Sequence, residues 1–194
     1  MNYQQQLHLC FLFLDHLIYN LYYEVFLLET NVNLQLLEYG ATGYHWLDTN
    51  YSNIIGQTQR KYLNPTFGDL NGDSIPDLLA GNSNGTLEYY AGVLVAGKIE
   101  FILQNDTFQN IQLGYSSAPQ LVDVDRDGLM DLISGDIDGH VFYYRNTGTR
   151  TMPIFLANNP DTLGGLDLNG IFPAKTVPRL ADFNADGKWD LALG

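Results

Sequence analysis

The chain of 194 residues has a single cysteine, Cys10. No internal disulfide can form, and a zinc site built on cysteines is excluded. Basic residues are also scarce: 9 Lys and Arg stand against 22 Asp and Glu, for a formal net charge of -13. Phosphate backbones are gripped by Lys and Arg surfaces, so nucleic acid is excluded as a partner. The same balance opposes docking on an anionic membrane. The first basic residue of the chain is Arg60, so the positive flank of a signal peptide is missing from the N-terminus. The H-E-x-x-H motif and the complete phosphate-binding loop are absent too, which removes the common zinc-hydrolase and nucleotide-binding signatures.

What is present is apolar and turn-rich. The hydrophobic fraction is 45%, with 13 Tyr, 10 Phe and 19 Gly. That composition supports a packed core and suits short strands with tight turns. Residues 7–28 form a long apolar stretch, but it carries His8, Asp15, His16, Asn20 and Glu24. Charge near a bilayer centre is costly, so membrane insertion is not expected.

A repeat organises the rest. Three segments, starting at Asp69, Asp123 and Asp182, share the form D-x-D/N-x-D-G/S-x-x-D-L; the starts are 54 and 59 residues apart. A proline precedes each segment by four residues (Pro65, Pro119, Pro178). After the first two come an apolar run, an Asx-Gly turn (Asn84-Gly85, Asp138-Gly139) and an aromatic run ending Tyr89-Tyr90 or Tyr143-Tyr144. That pattern predicts a β-hairpin. A unit of roughly 55 residues made of several short strands predicts an all-β fold, a partial β-propeller of three to four four-stranded blades.

The third copy runs only to Asp190-Leu191-Ala192-Leu193-Gly194, short of its hairpin partner. The expectation is a piece of a longer array, with further blades of the same chain as neighbours. Residues 1–59 are read as a degenerate first blade or an apolar N-terminal segment, and residues 60–194 as the repeat region. Val25–Asn31 overlays Val141–Thr147 without a gap, which places Leu7, Leu9 and Phe11 at ligand positions and leaves that copy without a metal. An apolar helix over 7–28 is the other expectation, because short apolar runs do not tell helix from strand.

The loops carry the chemistry. Oxygen-bearing side chains stand at positions 1, 3, 5 and 9: Asp69, Asn71, Asp73 and Asp77; Asp123, Asp125, Asp127 and Asp131; Asp182, Asn184, Asp186 and Asp190. Position 7 (Ile75, Leu129, Lys188) has no common side chain and is read as a backbone carbonyl ligand. This donor set is hard oxygen throughout and suits Ca²⁺. Zinc and iron would want His or Cys. The EF-hand needs a Glu at position 12, where Ala80, Ser134 and Leu193 stand. The competing reading is a metal-free Asx turn. Recurrence favours the metal, because several carboxylates in one small loop repel one another without a counter-ion. The second loop, with four Asp, is expected to bind tightest. The first, with Ser74 where the others have Gly128 and Gly187, is expected to bind weakest. Extracellular calcium modules bind at about 10⁻⁴–10⁻³ M.

At these residues, Pro119 through Leu132 and Asp138 through Gly148, the chain resembles the FG-GAP/VCBS repeat family. Asn64–Leu70, Thr147-Gly148-Thr149, Pro153 and Phe155 extend the resemblance. It implies a propeller blade with a calcium loop between its first two strands, usually in an exported protein such as an integrin α-chain or a large bacterial surface protein. The expected function is therefore a calcium-binding module, secreted or at the cell surface, that serves adhesion, recognition or scaffolding toward a protein or glycan outside the cell, and not catalysis. The alternative is a lectin or an accessory domain of a polysaccharide-active enzyme, with Tyr89, Tyr90, Tyr143 and Tyr144 as stacking candidates and His45 and His140 as acid/base candidates. Asn105-Asp106-Thr107 has the form of a glycosylation triplet.

Overall fold

The computed structural model describes residues 63–156 and 175–194 in full, Ile54, and the backbone of four strands between residues 8 and 48. The chain divides into two compact units, Met1–Asn64 and Pro65–Gly194.

In the first unit the described backbone is a four-stranded antiparallel sheet in sequential order. Its strands are β1 (His8–Cys10), β2 (Tyr23–Leu27), β3 (Leu34–Gly40) and β4 (Gly43–Asp48). The helix expected over 7–28 is not there: both described parts of that stretch are strands, and His8 pairs with Leu27. Aromatic and β-branched residues such as Tyr23, Val25 and Phe26 fit a pleated surface, and strand pairing settles what an apolar run leaves open. β2 is flanked by β1 and β3, so the strand at Val25 does not pair with the Asp15 segment that the gap-free overlay selects. Asp15, Leu7 and Phe11 lie outside the described residues.

The second unit holds the repeats. The first is a sequential four-stranded antiparallel sheet of β5 (Asn64–Gly68), β6 (Asp77–Gly81), β7 (Leu87–Val95) and β8 (Lys98–Asn105). The second has three strands, β9 (Ala118–Val122), β10 (Asp131–Gly135) and β11 (Val141–Tyr144), and a lone bridge between Asn146 and Phe155 where a fourth would run. The third shows β12 (Pro178–Ala181) paired with β13 (Asp190–Leu193). The fold is all-β: no α-helix occurs among the described residues, only a single 3₁₀ turn at Phe108–Asn110. Among the described residues the second repeat thus shows three strands and the third two. No described helix is long and apolar enough to cross a membrane.

The hairpins form as the turn residues dictate. Leu78 to Gly81 pairs with Tyr90 to Leu87, and Leu132 to Gly135 with Tyr144 to Val141. Gly85 and Gly139 take φ of 82° and 89°, left-handed values that glycine reaches without steric cost. β6 and β10 are buried at every residue, so neither strand has a solvent face. Side chains alternate across a strand, and β10 uses both faces: Leu132 packs with Leu70, Leu79, Leu121 and Tyr144, while Ile133 packs with Val122, Tyr143 and Leu180. One cluster therefore joins repeats one and two and the other joins two and three. Each buried leucine or isoleucine contributes about 1.5–3 kcal/mol relative to exposure.

A hydroxyl fastens each repeat to the turn of the one before it. Ser117, two residues ahead of Pro119, accepts the Asn82 amide on Oγ at 3.0 Å, and its own amide donates to the Asn82 carbonyl at 3.2 Å. Thr176, two residues ahead of Pro178, accepts the Asp136 amide at 3.3 Å and donates to the His140 carbonyl at 2.8 Å. Both chains come in over a glycine. A β-carbon built at Gly81 would stand 2.4 Å from the Ser117 carbonyl oxygen, and one at Gly135 would stand 2.1 Å from that of Thr176.

Candidate metal centre

Each acidic loop connects the first two strands of its repeat. Its shape comes from short-range bonds between Asx side chains and backbone amides. In the second loop, Asp123 accepts the amides of Asp127 (3.0 Å) and Gly128 (2.9 Å). Asp125 Oδ1 accepts the Asp127 amide at 3.3 Å, and Asp127 Oδ1 accepts that of Leu129 at 2.9 Å. The third loop repeats the scheme with Asp182, Asn184 and Asp186. The first does so with Asp69, Asn71 and Asp73, except that Asp69 Oδ1 takes the Gly72 amide at 2.6 Å.

Two backbone positions in every loop are left-handed. They are position 4 (Gly72 φ 79°, Arg126 φ 61°, Ala185 φ 59°) and position 6 (Ser74 φ 68°, Gly128 φ 89°, Gly187 φ 82°). The sequence flagged position 6 alone. Each loop in fact has one glycine for two such positions, so Ser74 is not a unique defect: Arg126 and Ala185 bear the same conformation.

The carboxylate at position 9 behaves unlike the others. Asp77 and Asp131 are fully buried. Asp131 Oδ2 accepts the Val124 amide at 3.0 Å and the Tyr143 hydroxyl at 3.1 Å, and its Oδ1 accepts the Asn146 amide at 2.7 Å. Asp77 has the same partners in Leu70 (2.9 Å), Tyr89 (3.1 Å) and Gly92 (2.9 Å), and also accepts from Asn71 Nδ2 at 3.2 Å. In the third loop Asp190 accepts the Phe183 amide at 3.0 Å. Position 9 is thus a strut that ties the loop to the far hairpin strand. Burial pushes the Asp77 and Asp131 carboxyls above the usual carboxylate range, against the pull of these donors. Burial, and then the neighbouring carboxylate, push Tyr89 and Tyr143 up, so each hydroxyl keeps its proton and donates it.

Positions 1, 3 and 5 converge in the second loop: one oxygen each from Asp123, Asp125 and Asp127 lies within 4.8 Å of the others. Asp125 Oδ2 and Asp127 Oδ2 receive no backbone amide among the described bonds. Arg145 Nη2 reaches both, at 2.6 and 3.3 Å. Asp125, with a further contribution from Asp127, holds the Arg145 guanidinium above its ordinary range. Cationic side chains approach the other loops more loosely, Arg150 to Asp69 at 3.6 Å and Lys188 to Asp186 at 3.9 Å. The loops are also tied to each other. Arg126 donates to the Gly187 carbonyl and lies 5.6 Å from the centre of the Trp189 ring.

The remaining candidates separate cleanly. Tyr90, Tyr143 and Tyr144 are buried, and Tyr89 packs on Phe108 at 5.3 Å, so these residues serve the core rather than an open stacking face. His140 Nδ1 meets Asp136 Oδ2 at 2.7 Å, and with Asp138 they make a second compact acid–imidazole group. Asn82, Asn84 and Thr86 build the same turn in the first repeat, where the Asn82 side chain accepts the Asn84 and Thr86 amides. The group is therefore accounted for as an Asx turn. The side chain of His45, on β4, lies outside the described residues. Asn105 is exposed and accepts the Thr107 amide at 2.8 Å.

The profile of the FG-GAP-like repeat matches residues 123–193. That span runs from the start of the second loop to the last residue of β13, so over it the chain carries an FG-GAP-like repeat. No curated protein and no solved structure matches the chain.

Proposed function

We propose that this chain is a calcium-stabilised propeller-type module that acts outside the cell as a scaffold for adhesion or recognition, without catalysis of its own. One observation carries the reading: three carboxylates converge in a loop whose fourth acid is a buried strut into the hairpin. The donor set fits the ion. All side-chain donors are hard oxygens, they carry more negative charge than their own loop neutralises, and in the second loop a guanidinium already stands where positive charge is needed. The residues that would hold the metal are Asp123, Asp125, Asp127, the Leu129 carbonyl and Asp131. Their counterparts are Asp69, Asn71, Asp73, Ile75 and Asp77 in the first loop, and Asp182, Asn184, Asp186, Lys188 and Asp190 in the third. Bound Ca²⁺ would supply charge neutralisation and cross-link the loop, so that binding becomes folding free energy.

The same chemistry supports a scaffold role. Struts and buried tyrosines spend the repeated polar and aromatic residues on rigidity. Partners, protein or glycan, would then meet exposed loops and sheet edges. Calcium titration by calorimetry, with melting followed in chelator and in millimolar calcium, tests the reading. The expected result is heat on titration and a higher melting temperature in calcium. At 100 times the dissociation constant one site adds about 2.7 kcal/mol. A chain that takes up no calcium and melts identically in both buffers ends the proposal, and hydrolysis of a polysaccharide overturns the non-catalytic part.

A further inference from the structure

Arg145 follows directly after β11, and its counterpart in the first repeat, one place after the Tyr89-Tyr90 pair, is Ala91. Its backbone is held in place, because the next amide, that of Asn146, is bonded to the buried Asp131. Its side chain is half exposed and free to leave. The guanidinium takes the two second-loop oxygens that no described backbone amide satisfies, Asp125 Oδ2 and Asp127 Oδ2. Neither other loop offers such a pair, because Asn71 and Asn184 stand where Asp125 does.

We infer that Arg145 is a tethered counter-ion of the second loop. It holds Asp125 and Asp127 together in the absence of a divalent cation, and it must release both oxygens before one can use them. The inference rests on the calcium reading of the loop and adds a control on its affinity. A guanidinium keeps its charge at any physiological pH, and here one nitrogen, Nη2, bridges the two carboxylates, so the competition does not fade with pH. It weakens with salt, since the pair is solvent-accessible. The loop with the most acid is then not the tightest binder in the native chain. Its intrinsic advantage is offset by its own arginine, and in exchange its shape persists without metal.

The test uses the full chain in four forms: native, Arg145→Gln, Asp125→Ala and the double variant. Calcium is titrated by calorimetry, and melting is followed in chelator. Arg145→Gln is expected to tighten one calcium site about fivefold, the scale of a solvent-accessible ion pair, and to lower the melting temperature in chelator. In the Asp125→Ala background the same substitution should move both values less, because Arg145 then has only Asp127 to hold. If the native chain binds calcium and Arg145→Gln leaves every affinity unchanged or weakened, the counter-ion role is wrong while the calcium reading stands. If no form binds calcium, both fall. Should Arg145→Gln not fold, Arg145→Met removes the charge and keeps the apolar stem. An affinity above the native value supports the role, and one at or below it overturns the role.

Discussion

The first and second loops solve one backbone problem in two ways. Both need left-handed residues at positions 4 and 6, and both have a single glycine. The first places it at position 4, where a β-carbon on Gly72 would stand 2.6 Å from Thr151 Cγ2; the second places it at position 6, where one on Gly128 would meet nothing within 4 Å. In the first loop the glycine answers crowding as well as conformation. In the second it answers conformation alone, and position 4 carries Arg126, whose side chain reaches the third loop. Glycine goes where steric demand is double, and the spare left-handed position becomes available for a residue with another task.

Five substitutions and one titration break or sharpen this contrast. The largest effect is expected where the two loops agree. Asp131→Ala or Asp77→Ala strands at least three donors, two of them in buried bonds, and should cost about 3–5 kcal/mol in either repeat by urea unfolding; a loss confined to one would show that the struts are not equivalent. Gly72→Ala comes next, at about 2–4 kcal/mol, since a left-handed alanine and an overpacked contact add. Gly128→Ala should cost only about 1 kcal/mol, and equal losses would erase the distinction drawn here. Ser74→Gly should stabilise the first repeat by up to about 1 kcal/mol by relieving its strained position.

The smallest effect is on pH dependence. Asp77 and Asp131 have folded values raised above 3.8 by burial. The folded state therefore binds these protons more tightly than the unfolded state does. Their contribution is complete below 3.8 and is lost as pH rises through the raised folded values. Melting in chelator should fall across that window, and calcium, which favours the ionised carboxylates, should flatten the decline. A melting temperature that rises with pH in chelator would show that the donors, not burial, set these carboxyls.

Much of this was legible in the sequence because it is local. Asx-Gly turns, short apolar runs and a spaced acidic motif specify hairpins and loops within about ten residues. The strut was not legible: Asp131 meets Tyr143 and Asn146, 12 and 15 residues away, and only folding brings them together. The recurrence of tyrosine 12 places after position 9 was the available signal. Arg145 lies 18 residues from Asp127 and has no counterpart in the first repeat, so repetition did not expose it. Ser117 and Thr176 did recur, each two residues before a proline, but a small hydroxyl near a turn is too common to stand out. The N-terminal apolar stretch misled because hydrophobicity without clear periodicity fits either helix or strand.

The clasp at Ser117 and Thr176 puts the cooperative unit out of phase with the written repeat. Residues that complete one hairpin turn belong, in chain order, to the unit that follows, so dividing the protein at the motif boundaries would leave every fragment with a torn seam. Dissection and grafting should instead respect an overlap, carrying each hairpin together with the hydroxyl-x-proline segment that closes over its glycine.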